Sequence, residues 1–105
     1  MSWIRACTAD IKPGDCKGVV VGGTNVAVFN VGGRFLATSN VCTHQFALLS
    51  DGYVDDDVIE CPLHQGRFSI LTGAPEVEPV TQPIKVFPIR AEGGEVFVDL
   101  EASAG

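Results

Sequence analysis

The chain has only two histidines, and each sits close to a cysteine: Cys42-Thr43-His44 and Cys61-Pro62-Leu63-His64. Residues 45–60 separate the two pairs. Two thiolates and two imidazoles make a four-ligand metal set, so the fold must carry the pairs on neighbouring loops. Two centres take such a set: a tetrahedral zinc, or a [2Fe–2S] cluster in which two histidines replace two cysteines on one iron. Zinc sites usually open with C-x2-C or C-x4-C and close with H-x3-H or longer. Here each segment supplies one sulfur and one nitrogen. That suits a two-iron core, where each loop can give its sulfur to one iron and its nitrogen to the other.

The rest of the sequence reads as an all-β scaffold for these loops. Strands are expected at 3–7, 17–21, 26–31, 34–38, 58–60, 67–70, 84–89 and 95–100, segments rich in β-formers. Gly22-Gly23-Thr24-Asn25, Gly32-Gly33 and Gly93-Gly94 mark the turns between several of them. Val96, Val98 and Leu100 alternate with Phe97 and Asp99, the period of a strand. Pro88 cannot donate a ladder hydrogen bond and marks an edge or a bulge. Helical periodicity is absent beyond one turn near residues 46–49. Asp55-Asp56-Asp57 reads as a solvated hairpin tip.

At 105 residues the chain is one domain, 1–105, with a core of its own. Its expected organisation is an insertion: a base of residues 1–38 and 82–105, and a smaller lobe of residues 39–81 that holds both boxes. No apolar run approaches a membrane span, and the N-terminus lacks a signal-peptide pattern, so a cytoplasmic protein is expected. Thirteen acidic residues against seven basic give a net charge of −6. Nucleic-acid binding, which needs a basic surface, is excluded on that ground. An acidic redox protein could instead be steered onto basic patches of its partners. Cys7 and Cys16 lie outside the boxes and read as free thiols.

Val41 to Ile70, VCTHQFALLSDGYVDDDVIECPLHQGRFSI, closely resembles the small Rieske ferredoxins of bacterial aromatic-ring dioxygenase systems. The flanking segments resemble that family more loosely, and the whole length fits. The resemblance implies a Rieske fold, an antiparallel β-sandwich base with a small inserted cluster-binding subdomain. It implies one [2Fe–2S] cluster, with Cys42 and Cys61 on the buried iron and His44 and His64 on the outer one. Family members often have glycine after the first histidine, where this chain has Gln45. Gln45, Phe46, Gln65 and Arg67 are candidates for a docking rim, Gly66 and Phe68 for the cluster surround, and Pro79 for a shielding loop. High-potential relatives add a disulfide between the loops, at positions held here by Ala47 and Leu63. They also use serine and tyrosine hydroxyls where this chain has Gly66 and Phe68. A potential near the low end of the Rieske range, roughly −150 to +300 mV, is expected.

Once both histidines bind the cluster, none remains for an acid–base triad or a mononuclear iron site. The chain therefore reads as a one-electron carrier and not an enzyme. The implied route runs from an NAD(P)H-dependent flavin-containing reductase to a separate terminal oxygenase, with a monomer as the default state of a shuttle. The competing readings are a Rieske ferredoxin serving another redox or monooxygenase system and, more remotely, a zinc-binding interaction module.

Overall fold

The computed structural model describes residues 3–41, 47–62, 66–77 and 83–101. Strands β1 (Trp3–Thr8), β2 (Cys16–Val21), β3 (Thr24–Val31) and β4 (Arg34–Ser39) occupy the first third of the chain. A 3-10 turn at Leu49–Asp51 precedes β5 (Tyr53–Asp55), β6 (Val58–Glu60), β7 (Arg67–Ser69) and β8 (Pro75–Val77). Strands β9 (Val86–Phe87), β10 (Ile89–Glu92) and β11 (Glu95–Asp99) complete the chain. They form three antiparallel sheets, in the orders β1-β11-β10, β2-β3-β4-β9 and β5-β6-β7-β8. The all-β, antiparallel architecture expected from the sequence is the one observed. No helix among the described residues is long and apolar enough to cross a membrane.

Strand β3 explains how three sheets share one small body. It is the longest strand, and its side chains alternate between two cores. Val26 and Val28 enter the core between the first two sheets, with Cys7, Val21, Ala37, Phe87, Val96 and Val98. Ala27 and Phe29 face the opposite way and join Leu36, Leu49, Ile59, Cys61, Phe68 and Ile70. The second core joins the third sheet and the 3-10 turn to the second sheet. Burying a side chain such as Phe29 or Phe68, neither of which is exposed, contributes about 1.5–3 kcal/mol.

The structure differs from the sequence expectations at several points. The segment read as one strand at 84–89 divides at Pro88. Val86–Phe87 pairs with β4 in one sheet, and Ile89–Glu92 with β11 in another. Pro88, with no N–H to place in either ladder, stands where the chain changes sheets, and its carbonyl accepts from the Asp99 amide at 3.1 Å. The turn expected over Gly22–Asn25 is narrower, because Thr24 and Asn25 already pair with Val21 and Val20. The helical turn spans Leu49–Asp51 and so overlaps the expected 46–49 at Leu49, and Phe46 is outside the described residues. Strands β5 and β8 go beyond the sequence expectation. The acidic tip agrees with it: Asp56 takes a left-handed φ of 52° between β5 and β6.

Candidate metal centre

Both box segments are closed at their bases by strand pairing. Val41 and Leu48 form an isolated antiparallel bridge, which brings together the two ends of residues 42–47. Glu60 and Arg67 are partners across β6 and β7, and the Cys61 amide donates to the Gly66 carbonyl at 2.8 Å. The second segment is thus closed as the first is. Cys42, His44, Gln45, Phe46, Leu63, His64, Gln65 and Pro79 lie outside the described residues.

The stems of the two segments meet in the second core. Ala47 and Leu49 come from the first stem, and Cys61 and Phe68 from the second. Cys61 has no solvent exposure. Gly66 is buried, Phe68 is fully buried, and Arg67 is half-exposed. A sulfur donor held among Leu49, Ile59 and Phe68 is shielded from water on its protein side. Together with the second thiolate and the two imidazoles in these short segments, it fits a mixed sulfur–nitrogen iron site.

Two contacts that sequence reasoning missed set how the stems approach. Gly52 follows the 3-10 turn and faces Glu60: a Cβ built on it would lie 2.0 Å from the Glu60 carbonyl oxygen. Asn40, just before the first box, is 2% exposed and bonded on every side. Neither role has a local signature. Asp51-Gly52 reads as an ordinary turn, and a buried asparagine is visible only once its partners are in place.

Charge is concentrated beside the boxes. Residues 39–81 hold seven acidic side chains and Arg67 alone as a base, a net −6, while the remaining residues hold six of each and are neutral. Arg67 is turned onto its own sheet. Its Nη2 lies 2.9 Å from Glu60 Oε1 and its Nη1 3.4 Å from Asp55 Oδ2. The Glu60 hydrogen bond, followed by the charges of Glu60 and Asp55, raises its already high pKa.

Cys7 and Cys16 are free thiols, as expected, and lie in or against different cores. Burial pushes both thiols up, so at neutral pH they stay protonated, the form that does not bind metal. Cys16 Sγ instead donates to the Ser50 carbonyl at 3.6 Å.

Residues 2–88 match the family described as the Rieske [2Fe-2S] domain. The chain belongs to the Rieske family. The ferredoxin component of the naphthalene 1,2-dioxygenase system of Pseudomonas putida is 48% identical to this Rieske chain over 101 residues, covering 95% of it and 97% of the relative. The biphenyl dioxygenase ferredoxin subunit of Pseudomonas sp. (strain KKS102) is 43% identical, covering 99% and 97%. A solved complex of reduced oxygenase and oxidised ferredoxin in carbazole 1,9a-dioxygenase includes a chain with 43% identity and a TM-score of 0.85. That match covers 97% of this chain and 93% of the other. Membership of a [2Fe–2S] family sets the zinc alternative aside.

Proposed function

We propose that this Rieske protein is the one-electron carrier of an aromatic-ring dioxygenase system. It takes electrons from an NAD(P)H-dependent flavin-containing reductase and delivers them to a separate terminal oxygenase, working as a monomer in the cytoplasm. The observation that carries this reading is the end-to-end likeness to ferredoxin components of such systems, at 48% identity over 95% of the chain. The chain moves electrons and transforms no substrate.

In this reading Cys42 and Cys61 supply the thiolates, and His44 and His64 the imidazoles. A [2Fe–2S] cluster held by these four residues would supply one-electron redox chemistry. Leu49, Ile59 and Phe68 exclude water beneath Cys61. Residues 1–38 and 82–105 act as the base, and 39–81 as the lobe presented to partners. Gln45, Phe46, Gln65 and the half-exposed Arg67 suit the docking rim, and Pro79 a shielding loop. Phe68 is fully buried and suits the packing beneath the cluster, not the rim.

With the net charge confined to residues 39–81, partner encounter is steered lobe-first. Stopped-flow mixing of the dithionite-reduced protein with the terminal oxygenase of an aromatic-ring dioxygenase tests this. Transfer should be fast at ~0.01 M salt and fall about tenfold or more by ~0.5 M, as screening shortens the reach of the charges. A protein with an intact Rieske EPR signal that passes no electron to any such oxygenase would refute the assignment.

The potential is expected at the low end of the Rieske range, because Gly66 and Phe68 offer no hydroxyl to the reduced cluster. The double variant Gly66→Ser, Phe68→Tyr should raise the midpoint. The gain is roughly 60 mV for each hydrogen bond that favours the reduced form by ~1.4 kcal/mol. Protein-film voltammetry showing an unchanged or lowered midpoint contradicts this.

A further inference from the structure

The segment that follows β4 runs straight into the first box, and what fixes its direction is a polar clamp outside both boxes. Asn40 uses all four of its polar groups. Its amide donates to the Asn25 carbonyl on β3 at 3.0 Å, and its carbonyl accepts from the Leu49 amide at 2.8 Å. Its side-chain Oδ1 accepts from the Ser50 amide at 2.8 Å, and its Nδ2 donates to Ser50 Oγ at 2.9 Å. One residue thus ties the entry of residues 42–47 to their exit, and both to the base.

The base is shaped around this clamp. Gly18, on β2, lies directly over it: a Cβ there would be 2.5 Å from Ser50 Oγ and 2.7 Å from Asn40 Nδ2. The clamp is neutral, so it holds the loop without adding a charge beside the metal. We propose that Asn40 and Ser50 are positioning residues for the iron–sulfur group. They act through the first ligand loop, fixing the geometry in which Cys42 and His44 meet the metal. This rests on the reading that those two residues are ligands. Ligand geometry within about 0.5 Å depends on such supporting contacts.

The test uses the holoprotein and two readouts other than electron transfer to a partner. One is the rate at which excess bathophenanthroline disulfonate strips iron under dithionite. The other is the EPR line shape of the reduced protein. Ser50→Ala removes one bond and leaves a buried amide donor unpaired; Asn40→Ala removes both side-chain bonds. Each should lose iron about tenfold faster or more than wild type, with a shifted EPR line shape. Val98→Ala is the control: it opens a cavity in the other core, far along the chain from either box. It should lower the thermal midpoint yet keep the wild-type rate and spectrum. If Asn40→Ala does not fold, Ser50→Ala alone decides. Wild-type rates and spectra in the clamp variants, or equal effects from Val98→Ala at matched stability, overturn the proposal. A wild type without a Rieske EPR signal instead overturns the cofactor reading beneath it.

Discussion

Cys61→Ser should yield a chain that keeps its base strands but holds no iron. The main-chain bond from the Cys61 amide to Gly66 does not depend on the side chain, so the closure of the second segment survives the change. The donor does not. A serine hydroxyl has a far higher pKa than a thiol and is a hard donor where the proposed iron site would take a soft one. Among the described residues, the core between the first two sheets takes none from the box segments, so the β-rich far-UV spectrum should persist. The second core loses more. It gains a hydroxyl in a position with no solvent exposure, at a cost of about 1–3 kcal/mol, and loses the folding free energy that metal binding supplies. Iron and acid-labile sulfide per chain should drop to near zero, while Cys7→Ser and Cys16→Ser keep the wild-type content. A Cys61→Ser protein with full iron and an unaltered EPR spectrum would remove Cys61 from the ligand set.

The contrast between Cys61 and the two other described cysteines shows which features the sequence alone makes legible. Cys61 stands out through local order, a cysteine three residues before a histidine. Cys7 and Cys16 lack that context, and the structure keeps both as free thiols. The strands legible in the sequence are those whose pattern is local. Gly32-Gly33 adopts φ of 60° and 95° in a two-residue turn, and β11 shows its period in Val96 and Val98. What stays illegible depends on partners distant in sequence. Strand β8 begins with a proline, a poor strand signal, yet Phe68 opposite Pro75 recruits it as an edge. The division at Pro88 needs two different partner strands, β4 and β11, and neither is visible within 84–89. Asn40 and Gly52 belong to the same class, since their importance lies in Ser50, Asn25 and Glu60 and not in their neighbours.

Gly52→Ala should be among the most damaging small changes in the chain, and the reason is space, not backbone freedom. Gly52 has an ordinary φ of −90°, so alanine could adopt its conformation. The added Cβ would nonetheless lie 2.0 Å from the Glu60 carbonyl oxygen and 3.1 Å from the Leu49 oxygen. Neither atom can rotate away. Glu60 is held by pairing with Tyr53 on one side and Arg67 on the other, and Gly52 is held by the hydrogen bond that its amide donates to the Leu49 carbonyl at 2.9 Å. Relief therefore requires giving up the 3-10 turn or the end of the β5–β6 ladder, both of which adjoin the stems of the two box segments. Overpacking with loss of a backbone hydrogen bond costs about 3 kcal/mol or more, roughly 12–24 °C in Tm for a domain of this size. Gly33→Ala supplies the opposite case: φ is +95° but nothing lies within 4 Å of the new Cβ. There the cost is left-handed strain alone, about 1–2 kcal/mol. Thermal melts of the holoproteins should place Gly52→Ala well below Gly33→Ala, with iron lost from the former before the base unfolds. A Gly52→Ala melt within about 4 °C of wild type, less than ~1 kcal/mol, would mean that Glu60 can shift freely and that the two ligand stems are not locked to each other.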